Sequence, residues 1–407
     1  MKANTPYRTA LAAALAIQLA PPAAKAMDYE TAHGIHMPPA HSTPGMAKAA
    51  ACTPAVAITE LAYNNVRALL TTSGLLWYDK ANDKPAYEVP KTADRSGARA
   101  IFAGGLWMGG LSPDNQLKIA AIRYRQGNDF WPGPLTTGGD AAVTSEVCSR
   151  YDRFYTTQRM DAERHRAYYE CLNNPQECDV ATEFPDGYIT PTVFNDWPAI
   201  NNTPGYDTYL APFTDVNGDG DYDPNSGDYP GYDLERVIDC NTRNPDDPVP
   251  LFGDYNIWWV MNDKGNQHTE TGGQPIGLEI RSQAFAFATN DEINNMTFYN
   301  YLVINRGTQT LTNAYFGQYA DPDLGCADDD FTGCDVQRGL GYVYNGDEND
   351  EGCNGQPFYG VQPPAIGIDF FEGPYQDPDT MDNPGPPSTS EPFPDCGLAV
   401  MQHGIGY

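Results

Sequence analysis

The sequence predicts a mainly β chain: β-sandwich-type domains, interrupted by a short helical insertion and carrying acidic loops. Three observations lead there. Gly 39 and Pro 35 punctuate the 407 residues densely, which suits short strands joined by turns and not a helical bundle. Stretches such as AFAFAT and TFYNYLVIN alternate with period two, the pattern of a strand with one buried and one exposed face. Aspartate, asparagine and glycine are concentrated in loops between these stretches. The balance of 54 acidic against 24 basic residues gives a net charge of −30, which repels phosphate backbones and anionic lipid and so excludes nucleic acid as a partner. Hydrophobic residues at 41% and aromatics at 12% supply a core, unlike a disordered acidic tail.

Residues 1–26 have the form of a signal peptide. Lys2 and Arg8 precede the apolar run TALAAALAIQLA, and Ala24-Lys25-Ala26 places small residues before Met27. Such a run is too short for a stable span, so the expectation is a secreted or outer-surface protein without membrane insertion. Residues 27–57 read as a disordered leader. His33, His36 and His41 lie there and suit a solvated tail better than a metal site.

Residues 58–143 are expected to form an N-terminal β-domain from LLWYDK, AYEVP, AIFAGGLWMGGL and LKIAAIRYRQ. Gly104-Gly105 and Gly109-Gly110 bracket Trp107, suggesting close backbone approach or bulges. Residues 144–184 are the helical insertion: glycine and proline are absent until Pro175, and Val147, Tyr151, Phe154 and Tyr155 recur at helical spacing, as one helix or two with a break. Its arginines, Arg150, Arg153, Arg159, Arg164 and Arg166, are expected to pair with local carboxylates. Residues 185–407 return to β pattern in NIWWVMND, IGLEIRSQAFAFAT, MTFYNYLVINR and AYFGQYA, followed by a proline-rich linker over 374–396. The stretch GLAVMQHGIGY begins another strand at the end, which reads as a domain cut short within a longer protein.

Nine cysteines in an exported chain should mostly pair. Spacing suggests two local staples, Cys171–Cys178 and Cys326–Cys334. Cys148, Cys240, Cys353 and Cys396 would form two more bridges, with Cys52 left over.

The sharpest chemical signal is FTDVNGDGDYDPNSGDYPGYD. Asp215, Asn217 and Asp219 alternate, followed by Gly220, Asp221 and Asp223, with Asp228 beyond. Calcium takes six to eight hard oxygens, and a turning loop offers alternate side chains to one point. The opening matches an EF-hand-type loop, but position twelve is Ser226, so Asp228 is the candidate closing ligand. The competing reading is a solvated loop of Asx-turns. A dense row of carboxylates repels itself unless a cation neutralises it, which favours Ca2+. A second acidic cluster contains Asp321, Asp323, Asp328, Asp329, Asp330 and Asp335, with Asp347 and Asp350 after it. Asp321, Asp323, Asp330 and Asp335 are its candidate ligands.

No HExxH, GxSxG, P-loop or dinucleotide fingerprint occurs, so no catalytic residue is assigned. His268, in a polar loop near Glu270, reads as a structural histidine.

The blocks NNVRALLTTSGLLWYD, YEVPK, IFAGGLWMGGL, KIAAIRYRQGNDFWPGPL, LAPFTDVNGDGDYDPNSGDYP, WWVMNDKGNQHTETGGQPIGLEI, TFYNYLVINR and YFGQYADPDLG with DDDFTGCD and YNGD follow one another over residues 60–373. In that order they resemble a family of exported multidomain proteins from the Bacteroidetes bacteria that carry a sorting domain for type IX secretion. The resemblance implies secretion across the outer membrane, β-rich architecture and a C-terminal sorting domain, which nothing after residue 400 provides. It implies no reaction. The expected function is therefore a non-enzymatic, calcium-stabilised extracellular or cell-surface β-protein acting in adhesion or as a self-assembling filament subunit, with itself or a surface glycan or protein as partner. The alternative is a carbohydrate-binding module or a secreted glycoside hydrolase component, using tryptophans such as Trp107, Trp131, Trp197, Trp258 and Trp259 as platforms.

Overall fold

The computed structural model describes residues 10–12, 52–124, 127–234, 249–353 and 355–371. The leader histidines, Cys240, Cys396, the 374–396 linker and the final strand lie outside these residues, as does the signal segment apart from Ala10–Ala12. Those three residues form a parallel strand against Ala365–Asp369.

The chain is mainly β, in several antiparallel sheets. The largest centres on the Tyr255–Asn262 strand, flanked by Leu278–Ala286 and then Phe298–Asn305. Two short strands share its other edge, Trp131–Pro132 at one end and Tyr155–Gln158 at the other. Successive side chains on a strand point to opposite faces. Ile257 and Trp259 therefore enter one apolar core, and Trp258 and Val260 enter another. Burial on both faces explains why IWWVM, residues 257–261, is a continuous apolar run instead of alternating. Enclosed tryptophans of this kind contribute on the order of 3–5 kcal/mol each.

A second sheet joins distant parts of the chain. The Thr312–Asp321 strand pairs with Ala103–Leu111, which pairs with Leu117–Ala121. Strand pairing thus crosses the boundaries at 143 and 185 that composition suggests. Gly104 and Gly105 lie on this sheet where close approach demands them: a Cβ on Gly104 would collide with the Trp77 ring, and one on Gly105 with Ile122. Trp107 instead stacks on Tyr319, with centroids 5.4 Å apart. A third sheet runs Ile58–Leu61, Arg67–Thr71, Tyr87–Glu88 and Arg99–Ile101. The last sheet contains Asp330–Asp335, Leu340–Asn345 and Ala365–Asp369.

The helical insertion forms two main helices, Ser145–Tyr151 and Arg159–Asn173. The first is capped by Thr144, whose side chain accepts from the Val147 amide. Tyr155–Gln158 breaks the helical run because it joins the largest sheet, a pairing that helical spacing alone does not reveal. Three of the arginines meet carboxylates as expected: Arg159 with Glu163, Arg166 with Glu170, and Arg153 with Asp196. Among the described residues, no helix is long and apolar enough to cross a membrane.

Three disulfides are described. Cys171–Cys178 is the expected local staple. The other expectations are corrected. Cys326 bonds Cys353 and not Cys334, whose thiol is exposed. Cys52 is not left over but bonds Cys148, at the first main helix.

Candidate cation-binding loops

The acidic loop is held at both ends. Phe213–Thr214 and Tyr229–Pro230 pair antiparallel and close it as a hairpin. Tyr222 turns inward at its middle, edge-on to Phe213 at 5.4 Å, and donates its hydroxyl to the Phe194 carbonyl at 3.0 Å. Gly218 and Gly220 adopt φ of 73° and 80°, left-handed values that glycine reaches without strain.

The carboxylates organise the loop backbone. Asp215 accepts from the Gly218 amide at 2.7 Å and the Gly220 amide at 2.8 Å. Asn217 accepts from Asp219, and Asp219 from Asp221. The Asn217 side-chain amide also donates to Asp219. Asp228 joins the loop's two sides, accepting from the Val216 and Asp223 amides, each at 2.9 Å. Each of these oxygens retains a lone pair, as a calcium ligand requires.

Electrostatics separates the group further. The Gly220 amide, foremost, holds the Asp215 carboxyl below its usual range. Asp228 is 1% exposed, and burial raises its carboxyl, with the Asp215 and Asp219 carboxylates adding to the rise. Asp215, Asn217, Asp219 and Asp228 are thus linked through the loop backbone, although among the described residues their carboxylates do not converge as a three-ligand group. Asp223 is engaged elsewhere, capping the Pro224–Ser226 turn through Asn225 and Ser226. Asp221 accepts from the adjacent Tyr222 amide.

In the second cluster, Asp321 ends the Thr312–Asp321 strand and accepts from the Tyr319 hydroxyl at 3.1 Å. Asp323 and Asp330 lie within electrostatic reach of each other and of further carboxylates. Burial, then Asp321, Asp330 and Asp328, pushes Asp323 up to about 7. Burial also pushes Asp330 up to about 6, Asp329 and Asp350 adding to the rise against the Leu324 amide. Asp335 stands apart at the other end of its strand, where it caps Val336–Arg338 and pairs with Arg338. Cys326, Asp328 and Cys353 converge, but both sulfurs are spent in a disulfide and offer no thiolate to a soft metal. Asn345, beside this cluster, is not marked by composition or spacing. Its signal is alternation: in LGYVYN, Gly341, Val343 and Asn345 face inward.

His268 is 2% exposed, with Nδ1 2.8 Å from the Ile119 carbonyl and Nε2 2.6 Å from that of Asp263. Trp131, Trp197, Trp258 and Trp259 are buried, and Trp107 is half-buried. Compared with known proteins, the chain matches no protein-family model, no curated protein and no solved structure.

Proposed function

We propose that this chain is a non-enzymatic, calcium-stabilised β-protein, secreted or held at the outer cell surface, acting in adhesion or as a structural, self-assembling extracellular subunit. The observation that carries the reading is the loop from Asp215 to Asp228. Its ends are pinned by strand pairing, and its deepest carboxylate, Asp228, is buried and ties the loop's two sides through the Val216 and Asp223 amides. A cation there would offset the repulsion and join both sides of the hairpin. Binding to the folded chain alone would stabilise the fold by mass action. Three disulfides suit an oxidising compartment, and the resemblance to exported Bacteroidetes proteins supports export. Packing of the sheets as β-sandwiches belongs to the same reading.

The test is thermal unfolding of the mature chain in millimolar calcium and in chelator, with Asp215→Ala/Asp219→Ala beside it. Calcium at about 100 times the Kd of this loop should add roughly 2.7 kcal/mol to the stability of the wild type through the loop alone. The double variant should lose that contribution. An equal calcium response in both proteins would refute the assignment.

One observation favours a second reading, glycan binding. Phe331, Tyr342 and Tyr344 are exposed on adjacent strands of the last sheet. Phe331 and Tyr344 lie at 26° to one another, and Tyr342 and Tyr344 at 32°. Such a row offers sugar rings an apolar surface that the buried tryptophans do not.

A further inference from the structure

We infer that the chain holds a second divalent-cation site, of the calcium class, between Asp323, Asp330 and the side-chain carbonyl of Asn345. It deepens the calcium reading but is independent of the Asp215–Asp228 loop.

Strand register brings the central donors together. Asp330 and Asn345 are directly opposed in the antiparallel pair, next to the opposed Phe331 and Tyr344. Side chains alternate along each strand. Since Phe331 and Tyr344 are exposed, Asp330 and Asn345 share the opposite, inner face.

Asn345 supplies an observation independent of charge. It is 7% exposed. Its amide nitrogen donates to the carbonyls of Asp347 and Asn349 at 3.3 and 3.2 Å, which fixes the orientation of the amide. Its Oδ1 is buried with no hydrogen-bond partner. Asp330 repeats the pattern: Oδ2 accepts from the Leu324 amide at 2.8 Å, and Oδ1 is buried without a partner. The neighbouring Asp329 also has a buried, unpartnered Oδ1. Buried polar atoms are nearly always satisfied. Orphaned acceptors on facing residues call for a donor or a cation, and no described ion pair reaches Asp323, Asp329 or Asp330.

The frame around these oxygens is rigid. Asp350 is fully buried and accepts from the Cys326 amide at 3.3 Å and the Tyr359 amide at 2.5 Å. The Cys326–Cys353 disulfide joins the same two segments. Gly325 has φ of 75°, and a Cβ there would collide with Asp350. Asp323 is brought to this pair by its neighbour Leu324, whose amide donates to Asp330 at 2.8 Å. Calcium suits a mixed carboxylate and carbonyl donor set better than magnesium, which retains water and demands strict octahedral geometry.

Calcium titration calorimetry on the full chain tests the site. The wild type should bind two equivalents, Asp215→Ala/Asp219→Ala one, and that variant with Asp330→Asn added none. Asn345→Leu should weaken the remaining site by about 10-fold or more, as loss of an inner ligand would. A folding defect is excluded by a readout of opposite sign: Asp330→Asn should raise the melting temperature in chelator, by relieving repulsion, while removing this site's calcium response. One equivalent in the wild type and none in Asp215→Ala/Asp219→Ala would overturn the second site and leave the first standing. One equivalent lost only with Asp330→Asn would overturn the first and support the second. Unchanged binding in Asp330→Asn would overturn the present inference.

Discussion

His268 links segments far apart in sequence. Its ring lies between the carbonyls of Ile119 and Asp263, and Trp131 packs beside it at 5.8 Å. Asp263, itself fully buried, accepts from the amides of Ile276, Gly277 and Leu278. Removing the imidazole would strand buried carbonyls and open a void. His268→Ala should therefore destabilise the chain by about 2–4 kcal/mol, while leaving the calcium-dependent gain intact. Urea unfolding with and without calcium measures both, and a loss under about 0.5 kcal/mol would show that the bridge is dispensable. The sequence marks His268 as a loop residue, since polar and turn-forming residues surround it. It does not show the burial, because Ile119 lies on a strand that meets this loop only in three dimensions.

At the level of elements, legibility depends on whether the determining contacts are local. The Asp215–Asp228 loop is readable because its bonds connect residues close in sequence, such as Asp215 to Gly220 and Asp219 to Asp221. The break between the two helices is anticipated only as an alternative, and its strand Tyr155–Gln158 is not, because the partner strand begins at Tyr255. Cys326 is likewise closer in sequence to Cys334, but Asp350 and its loop bring Cys353 to it. Asn345 requires knowledge of which strand face is buried. Local determination also makes the first loop sensitive to single changes. Gly220→Ala forces an L side chain to φ of 80°, at a cost of about 1–2 kcal/mol, and should weaken calcium binding by about 5- to 30-fold. Calorimetry would detect this, and undiminished affinity would mean that the turn is not part of the binding geometry.

Across the whole molecule, apolar cores draw on both early and late sequence. Leu61, Trp77 and Tyr87 share one with Ile257, Trp259 and Ile366. The alternation and the turn density identify the mainly β class, but not this interleaving, since strand partners are chosen by long-range packing. Exposed apolar residues remain, among them Tyr315, Phe331 and Val361, and unpaired strand edges can join chains to one another. Light scattering after size exclusion, in millimolar calcium and then in chelator, should show large assemblies with calcium and smaller species without it. A compact monomer in both conditions would exclude assembly and direct attention to the aromatic row at Phe331, Tyr342 and Tyr344.

The Cys52–Cys148 bond also has a mechanical consequence. It closes a covalent ring over a sequence separation of 96. The ring contains the Ala103–Leu111 strand and the whole sheet from Ile58–Leu61 to Arg99–Ile101. A pull along the polypeptide from outside this ring passes through the sulfur bridge and cannot draw that segment out. Roughly 320–350 Å of extended chain is thereby withheld from stretching until a reductant opens the ring, so tolerance to tension would be set by the redox state of the medium.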